Sequence, residues 1–284
     1  MPKKNSGTFS YPGGKTTIAP WIIDHFPDHT VYVEPFGGSA SVLMRKEKST
    51  VEVYNDTNSD CVAFFEAVKS HTNELQKWIK SVPYSRELYD QWQAEFNEGI
   101  RPDNIVEQAG RFLYITTCSF SGKAHQGGGT FAVSKSDVNA AQYGPTQWQR
   151  RGENVENMRD RFHNVQIESL DFAEIFEKYG NENAFFYCDP PYIDVGEEYY
   201  KTGEGFDHKR FVECLEETNA KWLVSYDHNI PEPLQKYHTV KRTKKATMSA
   251  QNPEKVETLT MNYNPNDVAK FKSANQSGLE AFEE

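Results

Sequence analysis

The chain has 284 residues, enough at roughly 150 residues per domain for two structural units around a sizeable core. Acidic residues outnumber basic ones 41 to 31, a formal charge of −10, which excludes a surface uniformly coated for nucleic acid but not a local basic face. A hydrophobic content of 37% with 13% aromatics excludes a disordered chain, and no apolar run approaches the roughly 18 residues of a spanning helix, so a water-soluble, cytoplasmic protein is expected.

Residues 30 to 36, TVYVEPF, are β-branched and aromatic and run into Gly37-Gly38, which reads as a buried strand ending in a tight turn. Ser39 is expected to cap a helix reaching about Lys48, and Thr50 to Tyr54 reads as a second strand closed by Asn55-Asp56. Strand, glycine turn, helix and strand make a βαβ unit, which implies a parallel sheet and an α/β fold. From Asn58 to about Thr117 the apolar residues recur at helical spacing, as in Cys61, Phe64, Phe65 and Val68, so a helical insertion is expected.

Cys118 to Arg150 is polar and rich in glycine, a composition that points to a functional or disordered loop. Strand patterns return at Val165 to Glu168, Ala184 to Cys188 and Trp222 to Tyr226, with a helical pattern from Lys209 to Thr218. His238 to Lys241 and Val256 to Tyr263 resemble an antiparallel pair, and the polar stretch beyond Asn264 is expected to be mobile. Cys61, Cys118, Cys188 and Cys214 lie far apart without zinc or redox spacing, and are expected to be buried thiols.

Three short segments could carry chemistry. Asp189-Pro190-Pro191-Tyr192 follows an apolar strand directly, and the carboxyl ends of parallel strands are where ligands sit in open α/β sheets. Two prolines stiffen the turn and remove two backbone donors, leaving carbonyls that can only accept. Asp189 adds a carboxylate and Tyr192 an aromatic face, so the tetrapeptide suits a planar ring with an exocyclic amine. An aromatic amine is a poor nucleophile because its lone pair is delocalised. Accepting both of its N–H bonds, at Asp189 and at the Pro190 carbonyl, would draw the nitrogen toward tetrahedral geometry and aim the lone pair at an electrophile.

Glu34-Pro35-Phe36-Gly37-Gly38-Ser39 lacks the full G-x-G-x-x-G spacing of a dinucleotide site. Asp56, about 20 residues on at the end of the next strand, stands where an acid commonly binds ribose hydroxyls. No Lys-Ser/Thr closes the loop, so a triphosphate is disfavoured, and an adenosine with a small zwitterionic arm fits better. Tyr11-Pro12-Gly13-Gly14-Lys15 supplies an aromatic ring and a cation for such an arm.

Taken in order, YPGGK at 11 to 15, EPFGGSA at 34 to 40, YNDTN at 54 to 58 and DPPY at 189 to 192 resemble the Dam-type DNA adenine-N6 methyltransferases, which use S-adenosylmethionine. FLYITTCSFSG at 112 to 122, LDFAEIF at 170 to 176 and VSYDH at 224 to 228 add to a likeness spanning residues 8 to 263. The resemblance implies a Rossmann-like class I methyltransferase sheet, mixed, with an antiparallel C-terminal strand pair. It also implies an inserted, mostly helical target recognition domain with a β-hairpin or loop.

The implied boundaries are 1–57 and 160–264 for the catalytic domain, 58–159 for target recognition and 265–284 for a flexible tail. The implied cofactor residues are Tyr11, Lys15, Glu34, Phe36, Gly37, Gly38, Ser39, Asp56, Asp171 and Asp189, with Asp171 at the cofactor adenine. Asp189, Pro190, Pro191 and Tyr192 would hold the target base, S-adenosylhomocysteine would be the product, and no metal would be required. The implied partner is double-stranded DNA, with the base flipped out of the duplex and a monomer acting on it. No nuclease motif is recognisable, which suggests a stand-alone enzyme of bacterial or phage origin.

Where Dam-type enzymes carry an Arg-rich, Tyr-Asn-Gly-containing run, this chain has SFSGKAH at 119 to 125. The resemblance therefore does not extend to a GATC specificity, which arginine would serve through guanine contacts. The DNA contacts expected are Ser119, Phe120, Ser121, Lys123, His125 and Lys135, together with Lys241, Arg242 and Lys244 from a run, 236 to 245, with five basic residues and no acid. Cytosine N4, RNA adenine and a non-catalytic DNA-binding relative remain as alternatives; a nicotinamide dehydrogenase fits poorly.

Overall fold

A computed structural model describes residues 8, 9, 11, 13–119, 129–133, 144–193, 205–244 and 255–271. In chain order these form α1 (Ala19–Ile23), β1 (Val31–Glu34), β2 (Val51–Asn55), α2 (Ser59–Ser70), α3 (Thr72–Ser81), α4 (Arg86–Asn97) and α5 (Ile105–Cys118). There follow α6 (Pro145–Phe162), β3 (Val165–Glu168), α7 (Phe172–Tyr179), β4 (Ala184–Cys188), α8 (His208–Glu217), β5 (Lys221–Tyr226), a 3₁₀ turn (Glu232–Lys236), β6 (His238–Lys244) and β7 (Lys255–Met261). Two compact units result, one of Met1–Thr17, Gly38–Arg45 and Asp56–Ser169, the other of Ile18–Gly37, Lys46–Asn55 and Leu170–Glu284.

The first unit is built on α2, α3, α5 and α6. Asn58 starts α2 by accepting the Asp60 N–H at 3.0 Å, and Asn104 starts α5 by accepting from Val106 and Glu107. The α2 residues Cys61, Phe64, Phe65 and Val68 are fully buried, and Phe65 stacks on Phe162 of α6 at 4.2 Å. Only its first residues, Pro145 to Arg150, fall in the stretch whose composition read as a loop. Its buried Trp148, Val155, Met158 and Phe162 fall at helical spacing among polar residues, and the Trp148 indole donates to the Val82 carbonyl at 2.8 Å. The short β3 ends this unit.

In the second unit a mixed sheet runs β2-β1-β4-β5-β7-β6. β1 pairs in parallel with β2 and β4, and β4 with β5, whereas β7 is antiparallel to both β5 and β6. β4, AFFYC, is buried at all five positions, the pattern of a central parallel strand covered on both faces. From β1 the chain continues to β2 on one side and later enters β4 on the other, so a topological switch point lies at the carboxyl ends of β1 and β4. Such a point is the ligand crevice of open α/β sheets.

One expectation is corrected. Residues 39 to 48 form no helix: turns occupy Ser39 and residues 41 to 45, and the chain then runs irregularly to Lys48. Ala40 adopts a left-handed φ of 51°, which an α-helix cannot contain, and the Ser39 hydroxyl bonds Ser41 at 2.8 Å instead of capping. Beyond Asn264, the Asp28 N–H donates to the Ala269 carbonyl at 2.7 Å, Pro27 bridges Lys270, and Phe271 stacks on His29 at 4.2 Å. Three cysteines are buried and Cys214 is half-buried. Among the described residues no helix is long and apolar enough to cross a membrane.

Candidate active site

In the first unit, Asp56 organises the glycine turn. Its Oδ2 accepts the Gly38 N–H at 2.7 Å and its Oδ1 the Asn58 N–H at 2.8 Å. Burial pushes this carboxyl up, and the two N–H bonds oppose the shift by favouring the charged form. A carboxylate offers about four acceptor positions, so Asp56 has the chemistry to hold a sugar diol as well. Gly38 has a left-handed φ of 48°, and a Cβ there would lie 3.1 Å from the Tyr11 ring. The Tyr11 hydroxyl is 3.5 Å from the Asn58 amide.

Lys15 is buried, with its ammonium donating to the Gly13 carbonyl at 2.9 Å. Ser39 is buried too, and its hydroxyl meets Ser41, which in turn meets Thr16 at 3.1 Å. Ser119 is buried at the end of α5, bridged through its backbone to Phe131. Phe120, Ser121, Lys123, His125 and Lys135 lie outside the described residues.

In the second unit, Glu34 is buried and accepts the Tyr32 hydroxyl at 2.6 Å. Burial, and then the neighbouring Glu34 charge, push the Tyr32 phenol well up. Phe36 packs edge-on to Phe206 and Phe211, at 5.5 and 5.4 Å, and lies 5.9 Å from Phe172. Gly37 donates to the Asn55 carbonyl at 2.8 Å, and a Cβ on it would stand 2.2 Å from the Tyr54 ring, so only glycine fits.

Asn55, fully buried, ties two loops together. Its amide donates to the Pro35 and Leu170 carbonyls at 2.8 and 3.0 Å and accepts the Leu170 N–H at 2.8 Å. Asp171 caps α7 in a capping box with Glu174. Its two oxygens also take the Arg210 guanidinium, at 2.5 and 3.2 Å, and Arg210 lies 4.9 Å over the Phe172 ring.

Asp189 leaves β4 half-buried, followed by buried Pro190 and Pro191 and half-buried Tyr192. Burial, and after it the Asp189 charge, push the Tyr187 and Tyr192 phenols and the Cys188 thiol up. The Tyr192 hydroxyl donates to Glu257 Oε1 of β7 at 2.7 Å, and its ring lies 5.9 Å from Tyr226. Lys241 and Arg242 are exposed on β6, paired in register with Thr258 and Glu257. Arg242 stands 5.7 Å from the Trp21 ring. Lys244 closes β6, and its side chain falls outside the described part.

Sequence reading missed Asn55, Asn58, Arg210 and Glu257. Each works through partners distant in sequence or through a cap, and only Glu257, a lone acid inside the strand VETLTM, carried a local signal. Among the described residues no group of three or more His, Cys, Asp or Glu could hold a metal ion.

The sequence profile of the D12 class N6 adenine-specific DNA methyltransferases matches residues 11–261. Among curated proteins, the chain is 24% identical over 247 residues to Type II methyltransferase M.MjaIII of Methanocaldococcus jannaschii, covering 77% of this chain and 83% of that protein. It is 24% identical to a DNA adenine methylase of Vibrio cholerae, covering 68% and 67%. To the DNA adenine methylase of Haemophilus influenzae it is 25% identical over 274 residues, covering 89% and 90%. With a match over nearly its whole length, the chain belongs to the D12 class N6 adenine-specific DNA methyltransferase family.

Proposed function

We propose that this protein transfers a methyl group from S-adenosylmethionine to the N6 amine of an adenine flipped out of double-stranded DNA, acting as a monomer in the cytoplasm of a bacterium or an infected host. The carrying observation is an intact Asp189-Pro190-Pro191-Tyr192 at the carboxyl end of a fully buried central strand, at the sheet's switch point. When bound, the cofactor supplies an electrophilic methyl on a sulfonium centre.

Tyr11, Lys15, Phe36, Gly37, Gly38 and Asp56 are assigned to hold it. Asp56 has acceptor capacity suited to the ribose hydroxyls, buried Lys15 offers a cation for the carboxylate, and Phe36 an aromatic face. Glu34 and Ser39 shape the turn, and Asp171 is assigned to the adenine end. Asp189 and the Pro190 carbonyl accept the two N–H bonds of the target amine, Pro191 stiffens the turn, and Tyr192 stacks on the base. Loss of resonance at the amine and alignment with the methyl are then effects of position.

Residues 58–159 are assigned to target recognition and 1–57 with 160–264 to catalysis, a reading supported by the mutual packing of α2, α3, α5 and α6. Lys241, Arg242 and Lys244, with Ser119, Phe120, Ser121, Lys123, His125 and Lys135, are assigned to DNA.

Asp189→Ala tests the reading. Loss of one preorganised polar group at a reacting centre costs about 10²–10³-fold in rate. Methyl transfer from labelled cofactor to DNA should therefore fall at least that far while DNA affinity stays within a few-fold. A variant with undiminished turnover would refute the role.

A further inference from the structure

We propose that Glu257 is a positioning residue for the target base, holding the Tyr192 ring in the plane on which the base stacks; this rests on the adenine-methylating reading above. Tyrosine turns about two bonds, and a hydrogen bond at its hydroxyl restrains both. The Tyr192 hydroxyl donates to Glu257 Oε1 at 2.7 Å, an anchor at the far end of the ring. A bond from a phenol to a carboxylate is charge-assisted and about twice as strong as a neutral one.

Topology explains how a residue 65 positions away arrives there. β5 ends at Tyr226 at the carboxyl edge of the parallel strands, and β7 runs antiparallel with Tyr226 opposite Thr258, so Glu257 enters the sheet at the edge that carries Asp189. Tyr226 lies 5.9 Å from the Tyr192 ring and limits it from the side of β5. Glu257 itself need touch neither cofactor nor base.

The test uses the full-length protein and a duplex carrying its own methylation sequence, identified by sequencing DNA from a host that expresses it. Glu257→Ala, Glu257→Gln, Tyr192→Phe and the double variant Glu257→Ala/Tyr192→Phe are compared for kcat, cofactor Kd, thermal midpoint and the fluorescence of 2-aminopurine at the target position. A misplacement of about 1 Å can cost on the order of 100-fold. Glu257→Ala and Tyr192→Phe should each lower kcat tenfold or more and alter the 2-aminopurine signal, with cofactor Kd and thermal midpoint near those of the parent. The double variant should be no worse than either single one.

Glu257→Gln keeps an acceptor oxygen and should recover most of the turnover lost in Glu257→Ala. Equal failure of Glu257→Gln and Glu257→Ala would overturn the proposal in favour of a charge effect, and additive losses in the double variant would overturn it by separating the two residues. A loss that follows the thermal midpoint would reduce Glu257 to a structural part. If the parent methylates cytosine or nothing, the reading of function fails first; if it methylates adenine and Glu257→Ala keeps full turnover, only the positioning role falls.

Discussion

At the scale of single residues, charge in this protein is placed by partners. Buried Lys46 donates to the Glu47 carbonyl, the Ser49 hydroxyl and Glu52 Oε1, at 2.7, 2.8 and 2.6 Å. Ser49 Oγ lies 3.0 Å from His29 Nε2. His29 Nδ1 lies 2.8 Å from the Pro27 carbonyl and donates to it, and burial favours the neutral ring. Burial, the largest cause, pulls the His29 pKa down to about 3 from 6.5.

A histidine whose folded pKa lies below its unfolded value contributes stability that is fully present above the unfolded pKa and is lost as pH falls toward the folded one. The window here runs from 6.5 down to about 3. At about 1.4 kcal/mol per pH unit, roughly 2 kcal/mol should disappear between pH 6.5 and 5. Urea unfolding of His29→Gln, less stable at pH 7.5, should show that slope removed; parallel pH profiles for variant and parent would contradict the assignment. The candidate chemical residues were legible because each sits in a short motif. Their partners were not, since Asn55–Leu170, Asp171–Arg210 and Tyr192–Glu257 are joined only by folding.

At the scale of elements, strands were read more surely than turns. β3 and β4 occupy the residues their β-branched and aromatic runs indicated, and β5 begins one residue earlier, at Lys221. The stretch after Gly38 deceived because its composition suits a helix, whereas Ala40 at a φ of 51° stops one and the hydroxyls of Ser39 and Ser41 bond each other. Helix α6 was hidden by its polarity, although Trp148, Val155, Met158 and Phe162 mark one face.

The turn after β1 depends on the lack of a side chain at Gly37. A methyl there meets the Tyr54 ring at 2.2 Å, and Tyr54 is fully buried with no room to retreat. Gly37→Ala should therefore cost about 1–3 kcal/mol, the range for overpacking a filled interior, whereas Gly99→Ala meets open space at a φ of 78° and pays backbone strain alone. Thermal unfolding of the two decides it, and a Gly37→Ala midpoint equal to the parent's would show that the turn has slack.

At the scale of the whole molecule, the charge of −10 is compatible with a DNA enzyme because it is unevenly distributed. Five basic residues and no acid lie between Lys236 and Lys245, and exposed Lys241 and Arg242 of that run stand on β6 toward the sheet edge that carries Tyr192 and Glu257. The order of motifs along the chain made the family legible, while the segments 120–128 and 134–143, where the specificity for surrounding bases would be sought, match no pattern that names a sequence.

In the reaction proposed for this protein, adenine N6 is the atom methylated. Mass spectrometry of nucleosides from the DNA of a host without adenine methylation of its own, expressing the parent or Asp189→Ala, addresses that atom directly. N6-methyldeoxyadenosine should appear with the parent and be absent with the variant; methylcytosine without methyladenine, or equal methyladenine from both, would contradict it.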